Sequence, residues 1–117
     1  MKANENQKEL SQKELQQKVN HLQILEHNLQ NFLLQKQTLQ LQILEIDNAL
    51  KELETLKDEP YKIVGNIMIK TDKAKLIKDL NSKKETSELR LKTIDRQETE
   101  LRNKASEIQQ LILKEVK

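Results

Sequence analysis

Apolar residues recur at alternating spacings of three and four along two long stretches of this chain, and that repeat leaves few folds open to it. In the first stretch they fall at Leu15, Leu22, Leu25, Leu29, Phe32, Leu39, Ile43, Ile46, Leu50 and Leu53, with only Lys18 and Lys36 interrupting. A seven-residue repeat of this length marks a coiled coil rather than a helix lying on a globular core, because it keeps a single seam turned toward a partner helix. The second stretch repeats the pattern at Ile77, Leu80, Leu91, Ile94, Leu101, Ala105, Ile108 and Ile112. Lys84, Ser87, Glu98 and Glu115 take its remaining seam positions.

Between the stretches the period changes. Pro60 lacks a backbone donor and restricts Glu59, which predicts that the first helix stops near Lys57 or Asp58. Tyr61-Lys62-Ile63-Val64-Gly65-Asn66-Ile67-Met68-Ile69-Lys70 follows, with β-branched residues around a Gly-Asn pair that reads as a two-residue hairpin turn. The one glycine of the chain sits in that turn, where a positive φ is needed. Thr71 or Asp72 is placed to cap the second helix. The expected fold is mainly α with a small β-hairpin: two helices zipped antiparallel and joined by that hairpin. A single domain over 1–117 is expected, with helix over about 8–58, hairpin over 61–70 and helix over about 72–116. Each helix of about 45 to 50 residues would run roughly 65 to 75 Å.

Folding the chain back at Gly65 sets a register. It places Leu53 opposite Ile77, Leu50 opposite Leu80, Leu39 opposite Leu91, Leu29 opposite Leu101, Leu25 opposite Ala105 and Leu22 opposite Ile108. The polar seam residues then face apolar ones: Lys84 faces Ile46, Ser87 faces Ile43, Lys36 faces Ile94, Glu98 faces Phe32, Lys18 faces Ile112 and Glu115 faces Leu15. Lys and Glu stems are expected to lie over the partner with their charges in water, which also disfavours slipped registers. Both termini then come together at the end of the zipper remote from the hairpin.

Composition narrows the function classes. Of 117 residues 34% are charged and 2% aromatic, with one Gly, one Pro and no Cys, so no large core is available. One glycine cannot build a phosphate-cradling loop, and no cofactor is implied. Without cysteine there is no disulfide and no thiolate ligand, which fits a reducing compartment. His21 and His27 lie six apart, not the four that pairs two ligands on a helix, and read as surface residues. Glu45, Asp47, Glu52 and Glu54 read as a solvated face, and no catalytic residue or metal ligand is expected. Basic and acidic residues number 21 and 19 and are finely interleaved. The nearest basic cluster, Lys73, Lys75, Lys78, Lys83 and Lys84, is broken by Asp79 and Glu85 and has no aromatic neighbour for stacking. Nucleic acid and membrane surfaces are therefore not expected partners, although an RNA-binding helical arm and a plain coiled-coil tether stand as alternatives. Residues 1–10 are mostly polar, with no apolar run, and no apolar run elsewhere approaches ~18 residues, so the chain reads as cytoplasmic.

The hairpin carries the sharpest functional signal. Lys62, Val64, Ile67 and Ile69 share one face and Tyr61, Ile63 and Met68 the other, so both faces are largely apolar. An isolated two-stranded hairpin is marginal in water and leaves two open edges, so this one must gain strands from other chains. A short polar loop would connect two helices equally well. The stretch from Tyr61 to Lys70 resembles the hairpin motif of prefoldin beta subunits of the archaeal type. Lys92-Thr93-Ile94-Asp95-Arg96-Gln97-Glu98 is similar to part of their second helix. Pro60, directly before the motif, departs from the pattern and bears on how the first helix enters the hairpin.

The resemblance implies a heterohexamer of two alpha-type and four beta-type subunits whose hairpins pool into a double β-barrel carrying six coiled-coil tentacles. Tyr61, Ile63, Val64, Gly65, Ile67, Met68 and Ile69 would make the subunit contacts. It further implies that the tentacle tips hold unfolded proteins and pass them to a group II chaperonin without ATP. In this chain the tips are the two termini, with apolar residues Leu10, Leu15, Val19, Leu111, Ile112, Leu113 and Val116. Leu111 and Leu113 flank the seam position Ile112, so at least one of them must face away from the zipper.

Overall fold

The computed structural model describes residues 2–116, with side chains from Ser11 onward. Helix α1 (Lys2–Thr55) leads into strands β1 (Tyr61–Val64) and β2 (Ile67–Lys70), and helix α2 (Lys73–Val116) completes the chain. These elements form two compact units. One holds residues 35–93, including the hairpin, and the other joins the residues up to Leu34 with those from Ile94 onward.

In the unit that holds the hairpin, α1 and α2 run antiparallel. Lys84 on α2 reaches Asp47 on α1 at 2.6 Å, and Lys73, earlier on α2, donates to the carbonyl of Leu56, just past the end of α1, at 3.0 Å. Leu39 and Leu53 are buried, Ile43, Ile46 and Leu50 half-buried, and the intervening Glu, Gln and Lys exposed. On α2 the seam positions read from the sequence, Ile77, Leu80, Lys84, Ser87 and Leu91, are all covered, and near the hairpin Lys73, Leu76 and Asp79 are half-buried beside them.

The second unit repeats the arrangement. Leu25 is buried and Leu15, Lys18, Leu22, Leu29 and Phe32 are half-buried, together with Ile94, Leu101, Ala105, Ile108 and Ile112 of α2. Lys18 and Glu115, in adjacent layers, form an ion pair with each other across the two helices. The expectation that every charged seam residue leaves its head in water fails at Glu98. Its residue exposure is 6%, and its carboxylate turns back along α2 to Arg102 at 2.5 Å. A glutamate stem at a covered seam position is short, whereas an arginine one turn on reaches solvent from the same helix. Among the described residues no side chain is wholly buried, as expected when each seam residue is covered by one partner helix rather than by a core.

Helix α1 ends at Thr55, earlier than the Lys57 or Asp58 expected from Pro60. The Leu56 N–H bonds back to the Leu53 carbonyl at 3.3 Å, tightening the last turn, and Thr55 Oγ1 donates to the Glu52 carbonyl at 3.1 Å. Just past this end Lys73 meets the Leu56 carbonyl, a partner 17 residues on that a local reading does not weigh. At the start of α2 it is Asp72 that caps: its Oδ1 accepts from the Ala74 N–H at 3.4 Å, and its carbonyl accepts the first helical bond, from Leu76. Thr71 instead donates its N–H to the Pro60 carbonyl at 3.0 Å, extending the hairpin ladder by one bond.

Candidate functional site

The strands pair antiparallel as Tyr61↔Lys70, Lys62↔Ile69, Ile63↔Met68 and Val64↔Ile67, so the ladder is centred between Gly65 and Asn66 rather than on Gly65. Gly65 has a φ of +62° and no other described residue has a positive φ. A positive φ at the first central residue alone is the type II′ pattern, whose twist matches paired strands. The pairing puts Lys62, Val64, Ile67 and Ile69 on one face and Tyr61, Ile63, Met68 and Lys70 on the other.

All eight strand residues are exposed, Ile63 to 70%. The sheet has two strands only, so each strand has one edge with unpaired backbone donors and acceptors. Two apolar faces and two open edges concentrated in ten residues form a surface that is incomplete by itself. It coincides with the assembly residues expected from the sequence: Tyr61, Ile63, Val64, Gly65, Ile67, Met68 and Ile69.

At the base of this hairpin lies a groove of about 510 Å³. Leu53, Leu56, Leu76 and Leu80 line it with Tyr61 and the buried Pro60. Pro60 thus works as packing as well as a helix stop, which its backbone chemistry alone does not reveal. Higher on the same unit, Lys84 sits beside Asp47, whose hydrogen bond and charge hold the ammonium pKa above its ordinary value.

The expected tip residues separate into two groups. Leu111, Leu113 and Val116 are exposed, Val116 to 69%, so both residues that flank Ile112 face away from the seam. Leu15, Val19 and Ile112 are half-buried and belong to the zipper. The side chain of Leu10 lies outside the described residues. Sequence reasoning missed a further set: Ile24, Leu33, Leu34, Leu41, Leu44 and Leu89 are exposed leucines and isoleucine off the seam. Their signal was their place outside the heptad frame. His21 and His27 are exposed, and among the described residues no group of three His, Cys, Asp or Glu is arranged to hold a metal ion. No helix among them is long and apolar enough to cross a membrane.

A family model described as prefoldin subunit matches residues 16–117, which takes in the hairpin and nearly all of both helices. This chain belongs to the prefoldin family. Prefoldins are chaperones rather than enzymes, and the relatives are beta subunits. The prefoldin subunit beta of Archaeoglobus fulgidus is 43% identical over 94 residues, covering 79% of this chain and 81% of that one. That of Thermococcus onnurineus is 42% identical over 89 residues, covering 74% and 77%. The fold agrees with the crystal structure of the prefoldin beta subunit from Thermococcus strain KS-1, with a TM-score of 0.76 and 38% identity over 85% of this chain and 89% of that one. The matched span begins at Gln16, so Leu10 and Leu15 fall outside the prefoldin match while the C-terminal tip residues fall within it.

Proposed function

We propose that the chain is an ATP-independent holding chaperone subunit, a single prefoldin-like domain acting in the cytoplasm. Its hairpin joins those of neighbouring subunits in a β-barrel, in a hexamer of two alpha-type and four beta-type chains. The observation that carries this reading is the exposure of every strand residue in a hairpin that is apolar on both faces and unpaired on both edges. Burying such a face against other strands gains about 25 cal/mol per Å² of apolar surface, and strand addition satisfies the open backbone groups.

The exposed apolar residues at the helix ends, Leu111, Leu113 and Val116, support contact with non-native polypeptides, which offer apolar side chains without a fixed shape. Bound clients pass from there to a group II chaperonin. The test is the solution mass of the chain alone and after co-expression with an alpha-type prefoldin subunit, by light scattering behind a sizing column. A discrete hexamer that suppresses aggregation of an unfolded protein without ATP is expected. A monomer or dimer indifferent to the alpha-type chain overturns the assembly reading.

A further inference from the structure

The groove at the base of the hairpin is apolar on its floor and acidic on its rim. Glu52, Asp58 and Glu59, all exposed, line it along with the leucines, and no basic residue does. Lys57, between Leu56 and Asp58 in sequence, is exposed and does not line it, and Lys73 has its ammonium engaged by the Leu56 carbonyl. A volume of about 510 Å³ lies within the ~300–1,000 Å³ of sites that take drug-sized ligands, so there is room for several side chains.

We propose that this groove receives the Lys62 face of the hairpin of a neighbouring copy of this chain. The argument is charge complementarity. That face carries one ammonium, Lys62, among Val64, Ile67 and Ile69, and the ten residues of the hairpin contain no acid. A cationic, apolar strand face fits a groove with three carboxylates around a leucine floor, and like-charged faces are kept apart. Continuity supports the same occupant: Tyr61 belongs to the hairpin and lines the groove, so a strand laid along the open edge of the hairpin continues onto it. With four copies among six subunits, copies of this chain neighbour one another. The proposal rests on the hairpin-assembly reading and extends the subunit interface from the strands to the end of α1.

The chain has no cysteine, so introduced thiols report single contacts. The Asp58→Cys and Lys62→Cys chains, one of them carrying a tag that separates it by mass, are co-expressed with the alpha-type subunit and oxidised. A disulfide between the two different chains, several-fold above that from a control pair of Asp58→Cys with Lys104→Cys, is the expected result, since bridged cysteines need Cα atoms within ~7 Å. Hexamers of normal mass and helicity with no excess of that cross-link overturn the groove proposal and leave the hairpin assembly standing. Failure of the unmodified chain to assemble overturns both. In a second arm, Asp58→Lys with Glu59→Lys is expected to lower the hexamer fraction several-fold, and Lys62→Glu in the same chain to restore it. If the charge reversal leaves the mass intact and lowers client holding instead, the groove takes client and the proposal fails.

Discussion

At Gly65 the backbone requires a φ of +62°, and a Cβ built there meets nothing within 4 Å, so the demand is for conformation rather than for room. Left-handed backbone costs an L-residue roughly 1–2 kcal/mol. Gly65→Ala is therefore expected to destabilise the hairpin by about that amount and to lower the affinity for the alpha-type subunit about 5- to 30-fold, read by titrating the hexamer peak on a sizing column. Gly65→Asn, which enters this region more readily, should lose less. Lys84 gives a second prediction at this scale. Its pKa is raised by the hydrogen bond to Asp47 and by that carboxylate's charge, from an ordinary value of 10.5. A group whose folded pKa is raised contributes stability in full below its unfolded value and loses it as pH climbs through the folded one. The difference in melting temperature between the native chain and Asp47→Asn should be constant from neutral pH to about 9 and shrink above the ordinary lysine range near ~10.4, as followed by circular dichroism.

The helices owe their pairing to the seam, and single layers decide its strength. Leu25, Leu39 and Leu53 are each under a tenth exposed, and truncating such a leucine to Ala costs ~2–5 kcal/mol, toward the low end where a lone partner helix can close over the gap. Leu39→Ala is expected to lower stability by about 2 to 3 kcal/mol in chemical denaturation, whereas Leu41→Ala, two residues on and exposed, should stay within about 0.5. Glu98 tests the opposite sign. A carboxylate held from water in the seam carries a desolvation cost that an apolar residue lacks, so Glu98→Leu should raise the melting temperature. These layers were legible from the sequence because periodicity reports which face is covered, and Lys18, Lys84, Ser87 and Glu98 kept their seam places although polar. What periodicity does not report is where a polar head goes once its stem is covered. Hence the pairing of Lys18 with Glu115 and the turn of Glu98 toward Arg102 emerged only from the folded chain. The end of α1 was illegible for a related reason: Pro60 marks where a helix must stop at the latest, while the bonds that fix the segment between the helix and the hairpin, from Thr71 to Pro60 and from Lys73 to Leu56, come from residues distant in sequence.

At the scale of the whole molecule, two of the places that expose apolar surface, the hairpin and the end of α2, differ in chemistry. The hairpin presents apolar groups on paired strands with open backbone edges, which demand a partner of matching geometry. Leu111, Leu113 and Val116 sit on the last turns of α2, whose backbone bonds are satisfied within the helix except at its end, so they present side chains without a strand template. A surface of that second kind suits many partners weakly rather than one partner tightly, and the last turns of a helix are where opening costs least. The two roles should therefore separate in variants. Replacing Leu111, Leu113 and Val116 together by Ser removes exposed apolar area and leaves Leu15, Val19 and Ile112 of the zipper in place, so the hexamer should form at unchanged mass and unchanged helicity. Aggregation suppression without ATP should fall several-fold, measured by light scattering of a chemically unfolded client diluted into buffer. Replacing Ile63 and Met68 by Ser should do the reverse at the first step, preventing assembly before any client is added. If the tip variant suppresses aggregation as well as the native chain, client contact belongs elsewhere, and the exposed Leu41, Leu44 and Leu89 of the hairpin-bearing unit become the residues to replace.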